Sequence, residues 1–126
     1  MIAMLLAVSA FAAAPQVLIN GSTNYEQERI LRLEHSLNFT KEPMVSTWEI
    51  TIDDEKVFDD YVQEHGLPTE SGYTFLGLNH THLNEYYLLW HSDQDVRFLL
   101  GHESGHLICN CKSEQKANEI AAVLLK

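Results

Sequence analysis

The chain has 126 residues, with 18 acidic against 8 basic side chains and a formal net charge of -10. That length suits one domain with a modest core, and so acidic a surface repels phosphate backbones, which excludes nucleic acid as a partner. Hydrophobic residues at 45% and charged residues at 21% are the balance of a folding chain, and they exclude extensive disorder.

Residues 1–14 are almost wholly apolar and end in small residues before Pro15. They predict a secretory signal peptide over residues 1–12, cut after the small-x-small pattern Ala10-Phe11-Ala12, with a single domain over residues 13–126. Such a chain would be secreted or extracytoplasmic. If the segment is instead a hydrophobic helix packed on the domain, the protein stays cytoplasmic. The run is too short to span a bilayer on either reading. In a eukaryotic secretory route Asn20, Asn38 and Asn79 would be glycosylation acceptors, since each opens an Asn-x-Ser/Thr triplet. Cys109 and Cys111, two apart, are no disulfide framework. They are expected as a buried thiol at a helix end and a thiol in a loop.

In chain order, the apolar run at residues 16–20 closes on Asn-Gly and predicts a first strand. Residues 25–37 place Ile30, Leu31, Leu33 and Leu37 near helical spacing among charged side chains, as an amphipathic helix does. Beyond Pro43, residues 45–52 alternate in type, which predicts a strand with Trp48, Ile50 and Ile52 facing inward. Asp53 or Asp54 caps a second helix that carries Val57, Phe58, Tyr61 and Val62 and stops at Gly66. The aromatic-rich runs at residues 73–78 and 85–90 are expected as antiparallel strands, joined by a polar segment whose His80 and His82 are solvated. Ser92 or Asp93 opens a helix that ends near Asn110, and Ser113 caps a last helix over residues 114–125. The sum is an α+β fold, a small mixed sheet packed on helices.

The chemistry lies in His102-Glu103-x-x-His106. Residues four apart share a helix face, so His102 and His106 direct two imidazoles at one ion, while Glu103 beside them is placed to take a proton from water held there. Leu99, Leu100, Leu107 and Ile108 bury the other side of the helix. Catalytic zinc takes three protein ligands, and a glutamate from the next helix is a common third, for which Glu114 and Glu119 are available. Cys109 and Lys112 occupy the positions where the longer metzincin motif needs its residues, which excludes that subclass.

The stretch from Arg97-Phe98 through His102-Glu103-Ser104-Gly105-His106, followed by Glu114-Gln115-Lys116-Ala117-Asn118-Glu119-Ile120-Ala121, resembles the ImmA/IrrE-like gluzincin metallopeptidases over about the last thirty residues. The resemblance implies a zincin-like fold, zinc held by His102, His106 and Glu114, Glu103 as general base and Asn118 as a partner that orients a ligand. Ser104 departs from the larger apolar residue usual in that family. Helical geometry also favours Glu114, because Ala117, Asn118 and Ala121 share its face whereas Glu119 lies about 140° around the helix. Gly105 costs about 1 kcal/mol of helix propensity relative to Ala, which is either a tolerated cost or the mark of a close approach by the neighbouring helix. Residues 73–78 are the candidate edge strand for an extended substrate, and His91, Tyr86 and Tyr87 take no assigned role. The leading expectation is a zinc metallopeptidase acting on peptide or protein substrates. The alternatives are an inactive zinc-binding module on the same scaffold that acts in protein binding, and a metal-free hairpin in a structural domain.

Overall fold

The computed structural model describes residues 14–126, so the signal peptide expected over residues 1–12 lies outside the described residues. Four strands, β1 (Gln16–Asn20), β2 (Thr47–Asp53), β3 (Gly72–Phe75) and β4 (His80–Asn84), form one sheet in the order β1-β2-β4-β3. β1 runs parallel to β2 and β2 to β4, while β3 is antiparallel to β4, so the sheet is mixed. Among the described residues there are five α-helices: α1 (Asn24–His35), α2 (Glu55–Glu64), α3 (Glu85–Trp90), α4 (Asp93–Cys109) and α5 (Glu114–Leu124). The α+β class is as the sequence predicts. No helix in this region is long and apolar enough to cross a membrane.

The two faces of the sheet differ because side chains alternate along each strand. On one face Trp48, Ile50 and Ile52 of β2 and Thr81 and Leu83 of β4 are buried, and they join Ile30, Leu33, Leu88, Leu99, Leu100, Ile120 and other apolar residues in one core beneath α1, α4 and α5. The register pairs Ile50 with Thr81 and Thr81 with Thr74, so Thr74 of β3 also points to this face. On the other face the pairs are Glu49 with His80, Thr51 with His82, and His82 with Tyr73. Phe58 of α2 packs there against Tyr73, with ring centroids 5.3 Å apart.

Local capping sets where the helices start. The side chains of Thr23, Asp54, Ser92 and Ser113 each accept a hydrogen bond from a backbone N–H in the first turn of α1, α2, α4 and α5. The helix expected over residues 25–37 ends earlier, at His35, although Leu37 stays buried in the turn beyond it.

Three expectations are corrected. Residues 85–90 form α3, not a strand, because the Asn84 side chain accepts from Tyr86 N and opens a helix, whatever the strand preference of Tyr86, Tyr87 and Trp90. The strand that pairs with β3 is His80–Asn84. His80 and His82 are therefore not solvated loop residues: His82 Nδ1 lies 2.9 Å from Asp53 Oδ2 and His80 Nε2 lies 2.8 Å from Thr51 Oγ1. Their polarity hides the alternation in which Thr81 and Leu83 are the inward residues. Lastly, Cys109 and Cys111 are joined in a disulfide rather than free. Asn110 between them adopts the left-handed conformation (φ 50°), which reverses the chain at the end of α4 and brings the two sulfurs together.

Candidate metal centre

Two antiparallel helices carry the site. α4 and α5 pack closely because glycines of one face alanines of the other. A Cβ added at Gly105 would stand 2.7 Å from the backbone oxygen of Ala117, and one at Gly101 would stand 3.3 Å from Ala121 Cβ. Ala117 and Ala121 are both fully buried. The small residues thus set the spacing between the helices, and of the two readings of Gly105 the close approach is the one found.

That spacing brings His102, His106 and Glu114 together, with one potential ligand atom from each lying within 4.8 Å of the others. His102 Nε2 is 3.2 Å from His106 Nε2, and the Glu114 carboxylate reaches both, at 2.7 Å from His102 Nε2 and 3.3 Å from His106 Nε2. Ligand atoms about 2.0–2.1 Å from a tetrahedral zinc ion are separated by about 3.3 Å. Two of the three separations match that figure.

The remaining ring nitrogens decide what the cluster fits. His106 Nδ1 lies 2.9 Å from the carbonyl oxygen of Cys111, and His102 Nδ1 lies 2.6 Å from Asn118 Oδ1. Both partners are acceptors, so an imidazole that carries its proton on Nδ1 turns a bare Nε2 inward. In that tautomer two nitrogen lone pairs and a carboxylate face one small volume, an arrangement that a cation satisfies. The donor set, two imidazoles and a carboxylate, is one that zinc takes. Glu119 faces away and pairs with Gln115 on the surface.

Glu103 is 3% exposed and its carboxylate stands 3.8 Å from His102 Nε2. Burial pushes this carboxyl well above the ordinary carboxylate range; the Thr74 hydrogen bond pulls it back, and Glu114 adds to the rise. The Thr74 hydroxyl donates to Glu103 Oε1 at 2.9 Å. Thr74 and Thr81 hydroxyls are 2.8 Å apart, and Trp48 Nε1 donates to Thr81 Oγ1 at 2.8 Å. An indole N–H only donates. Thr81 therefore receives from Trp48 and gives its own proton to Thr74, which gives its proton to Glu103, so the whole chain points at the carboxylate as acceptor. The residue pattern singles out Glu103, but this supporting chain depends on strand pairing and carries no local signal.

The cluster opens into a cleft of about 840 Å3 lined on one side by His102, Glu103, His106, Lys112 and Glu114. Tyr61, His65, Tyr73, Phe75 and Leu76 line the other side. β3 lies at the end of the strand order, so its outer edge has no strand beside it among the described residues. The edge strand is shorter than expected, Gly72–Phe75, with Leu76–Leu78 in a 3-10 turn. Tyr86, Tyr87 and His91 do not line the cleft; His91 stacks on Tyr87 instead. Comparison of the chain with models of protein families, with curated proteins and with solved structures returns no match.

Proposed function

We propose that the protein is a zinc-dependent metallopeptidase of the gluzincin type, with His102, His106 and Glu114 holding the ion and Glu103 as general base. The observation that carries this reading is the pair of imidazoles whose Nδ1 atoms both face acceptors while their Nε2 atoms converge with a carboxylate. The resemblance of residues 97–121 to the ImmA/IrrE-like gluzincins supports the same assignment.

A zinc ion bound there would supply Lewis acidity, polarising a peptide carbonyl and lowering the pKa of water to about 7. Glu103 takes a proton from the attacking water and passes it to the departing amide nitrogen. Burial makes its carboxyl willing to hold that proton, and the Thr74 hydroxyl keeps it oriented and accepting. Asn118 and the Cys111 carbonyl hold the two imidazoles in the productive tautomer. The open edge of β3 gives an extended substrate backbone hydrogen-bonding groups beside the centre. The Cys109–Cys111 disulfide agrees with an oxidising compartment and so with export.

Zinc content of the purified chain, together with turnover of an unfolded protein substrate and its loss on chelation, tests the reading. Stoichiometric zinc with chelator-sensitive cleavage is expected. Zinc without cleavage would turn the protein into a binding module on the same scaffold, and a chain that takes no zinc would remove both.

A further inference from the structure

The face of the sheet away from the metal cluster carries a column of stacked rings. His65 stacks on Tyr61 (centroids 3.9 Å apart), Tyr61 on Tyr73 (4.9 Å), Tyr73 on His82 (5.0 Å) and His82 on His80 (4.3 Å), with interplanar angles no larger than 30°. The column begins on α2, crosses β3 and ends on β4. Phe75 lies beside it, 5.5–5.9 Å from Tyr61, Tyr73 and His82 and nearly perpendicular to all three.

The column is not closed off. His65 is exposed, Tyr61, Tyr73 and Phe75 are half-buried, and all four line the cleft that holds the metal cluster. β3 runs between the two sides. Thr74 points to Glu103 and the cluster, whereas Tyr73 and Phe75 point to the ring column. A peptide laid along the open edge of β3 alternates its side chains in the same way. Residues next to the one that faces the metal centre therefore project toward Tyr61, Tyr73 and Phe75.

The stacking decides which side chain fits. Tyr61 and Tyr73 each have both ring faces covered by neighbours in the column, so what they offer a ligand is ring edge. Edges carry the positive end of the aromatic quadrupole and attract the face of another aromatic ring, while a cation needs an open ring face. Phe75 already packs against the column in this perpendicular way.

We propose that Tyr61, Tyr73, Phe75 and His65 form a specificity subsite for an aromatic side chain of an extended peptide, at the positions flanking the residue that faces the metal centre. This rests on the metallopeptidase reading for its catalytic meaning, but the subsite binds peptide whether or not metal is present. An edge-to-face contact of this kind adds to area burial, so a Phe peptide should outbind its Ala counterpart by at least about tenfold.

The test uses capped penta-alanine peptides with Phe, Lys or Ala at the second, third or fourth position, titrated by NMR into the metal-free full chain with ring resonances of Tyr61, Tyr73 and Phe75 as reporters. Cleavage of the same peptides by the zinc-loaded chain is measured in parallel. A Phe peptide that binds about tenfold tighter than the Ala and Lys peptides and shifts those resonances is expected, and Tyr61→Ala should reduce the preference to about twofold. His65→Ala, at an exposed position where folding is not at risk, should weaken Phe binding and leave Ala binding alone. Discrimination in binding without any cleavage would sustain the subsite and defeat the peptidase reading. Cleavage that is indifferent to Phe, Lys and Ala, or a preference for Lys, would overturn the subsite and leave the peptidase standing.

Discussion

Substitution of Gly105 tests whether close helix packing sets the metal geometry. In Gly105→Ala the new Cβ would meet the backbone oxygen of Ala117 at 2.7 Å and its Cα at 3.0 Å. The obstacle is backbone, so no side chain can swing aside, and relief to an ordinary carbon–oxygen separation requires the helices to part by about 0.5 Å. Overpacking of this order costs about 1–3 kcal/mol, against a gain of about 1 kcal/mol in helix propensity. Gly101→Ala supplies the comparison. It gains the same propensity, but its Cβ would meet only Ala121 Cβ at 3.3 Å, a contact that a few tenths of an ångström relieve.

The difference between the two variants therefore isolates packing, and Gly105→Ala should be about 1–3 kcal/mol less stable than Gly101→Ala in urea unfolding of the metal-free chain. The same opening moves Glu114, three residues before Ala117 on α5, away from the histidines of α4. Zinc affinity of Gly105→Ala should fall by about tenfold or more, as competition with a chromogenic chelator would show. Equal stability of the two variants with unchanged zinc affinity would refute the claim that the Gly105–Ala117 contact sets the site.

Glu103→Gln should keep zinc at wild-type occupancy while turnover falls by about 100- to 10,000-fold; loss of metal instead would make Glu103 a ligand. Glu114→Ala should weaken zinc binding and abolish activity, whereas Glu119→Ala, which disturbs only the contact with Gln115, should do little; the reverse pattern in metal titration would overturn the ligand assignment. Glu34 is 2% exposed, its Oε2 has no hydrogen-bond partner, and burial raises its carboxyl to about 7. Because the folded form holds the proton more tightly than the unfolded chain, this contribution is complete below about pH 4.5 and is lost as pH rises through about 7, by at most about 3 kcal/mol. Glu34→Gln should flatten the stability profile between pH 5 and 8, and parallel profiles for the two proteins would show that Glu34 is not the group responsible.

What the sequence made legible was local. The α4–α5 hairpin is specified by residues within one stretch: Ser92 and Ser113 cap the helices, His102 and His106 share a face by spacing, and Ala117 and Ala121 mark the face of α5 that carries Glu114 and Asn118. Helical periodicity, together with the family resemblance of this stretch, pointed to Glu114 and turned Glu119 away. What escaped depends on pairing between distant residues. β4 carries His80, Thr81, His82 and Asn84, a polar run whose strand character exists only because β2 and β3 flank it. The Trp48–Thr81–Thr74–Glu103 chain spans three strands and a helix, and the ring column joins a helix to two strands. The disulfide turned on one left-handed residue, Asn110, for which spacing offers no sign.

The site thus has two supports that are mechanically separate. The proposed ligands hang on the hairpin: His102 is oriented by Asn118 and His106 by the carbonyl of Cys111, and Glu114 opens the second helix. The proposed base, Glu103, hangs on the sheet, because Thr74 is fixed by its register opposite Thr81, and Thr81 by the indole of Trp48 in the core. Glu103 and its two histidine neighbours lie on α4, so the sheet positions the proposed base and the hairpin the proposed ligands across a single element. A site with metal affinity alone would need only the hairpin. On the proposed metallopeptidase reading, the buried carboxylate with a chain of donors aimed at it is the feature that a hydrolytic centre requires and a structural ion does not.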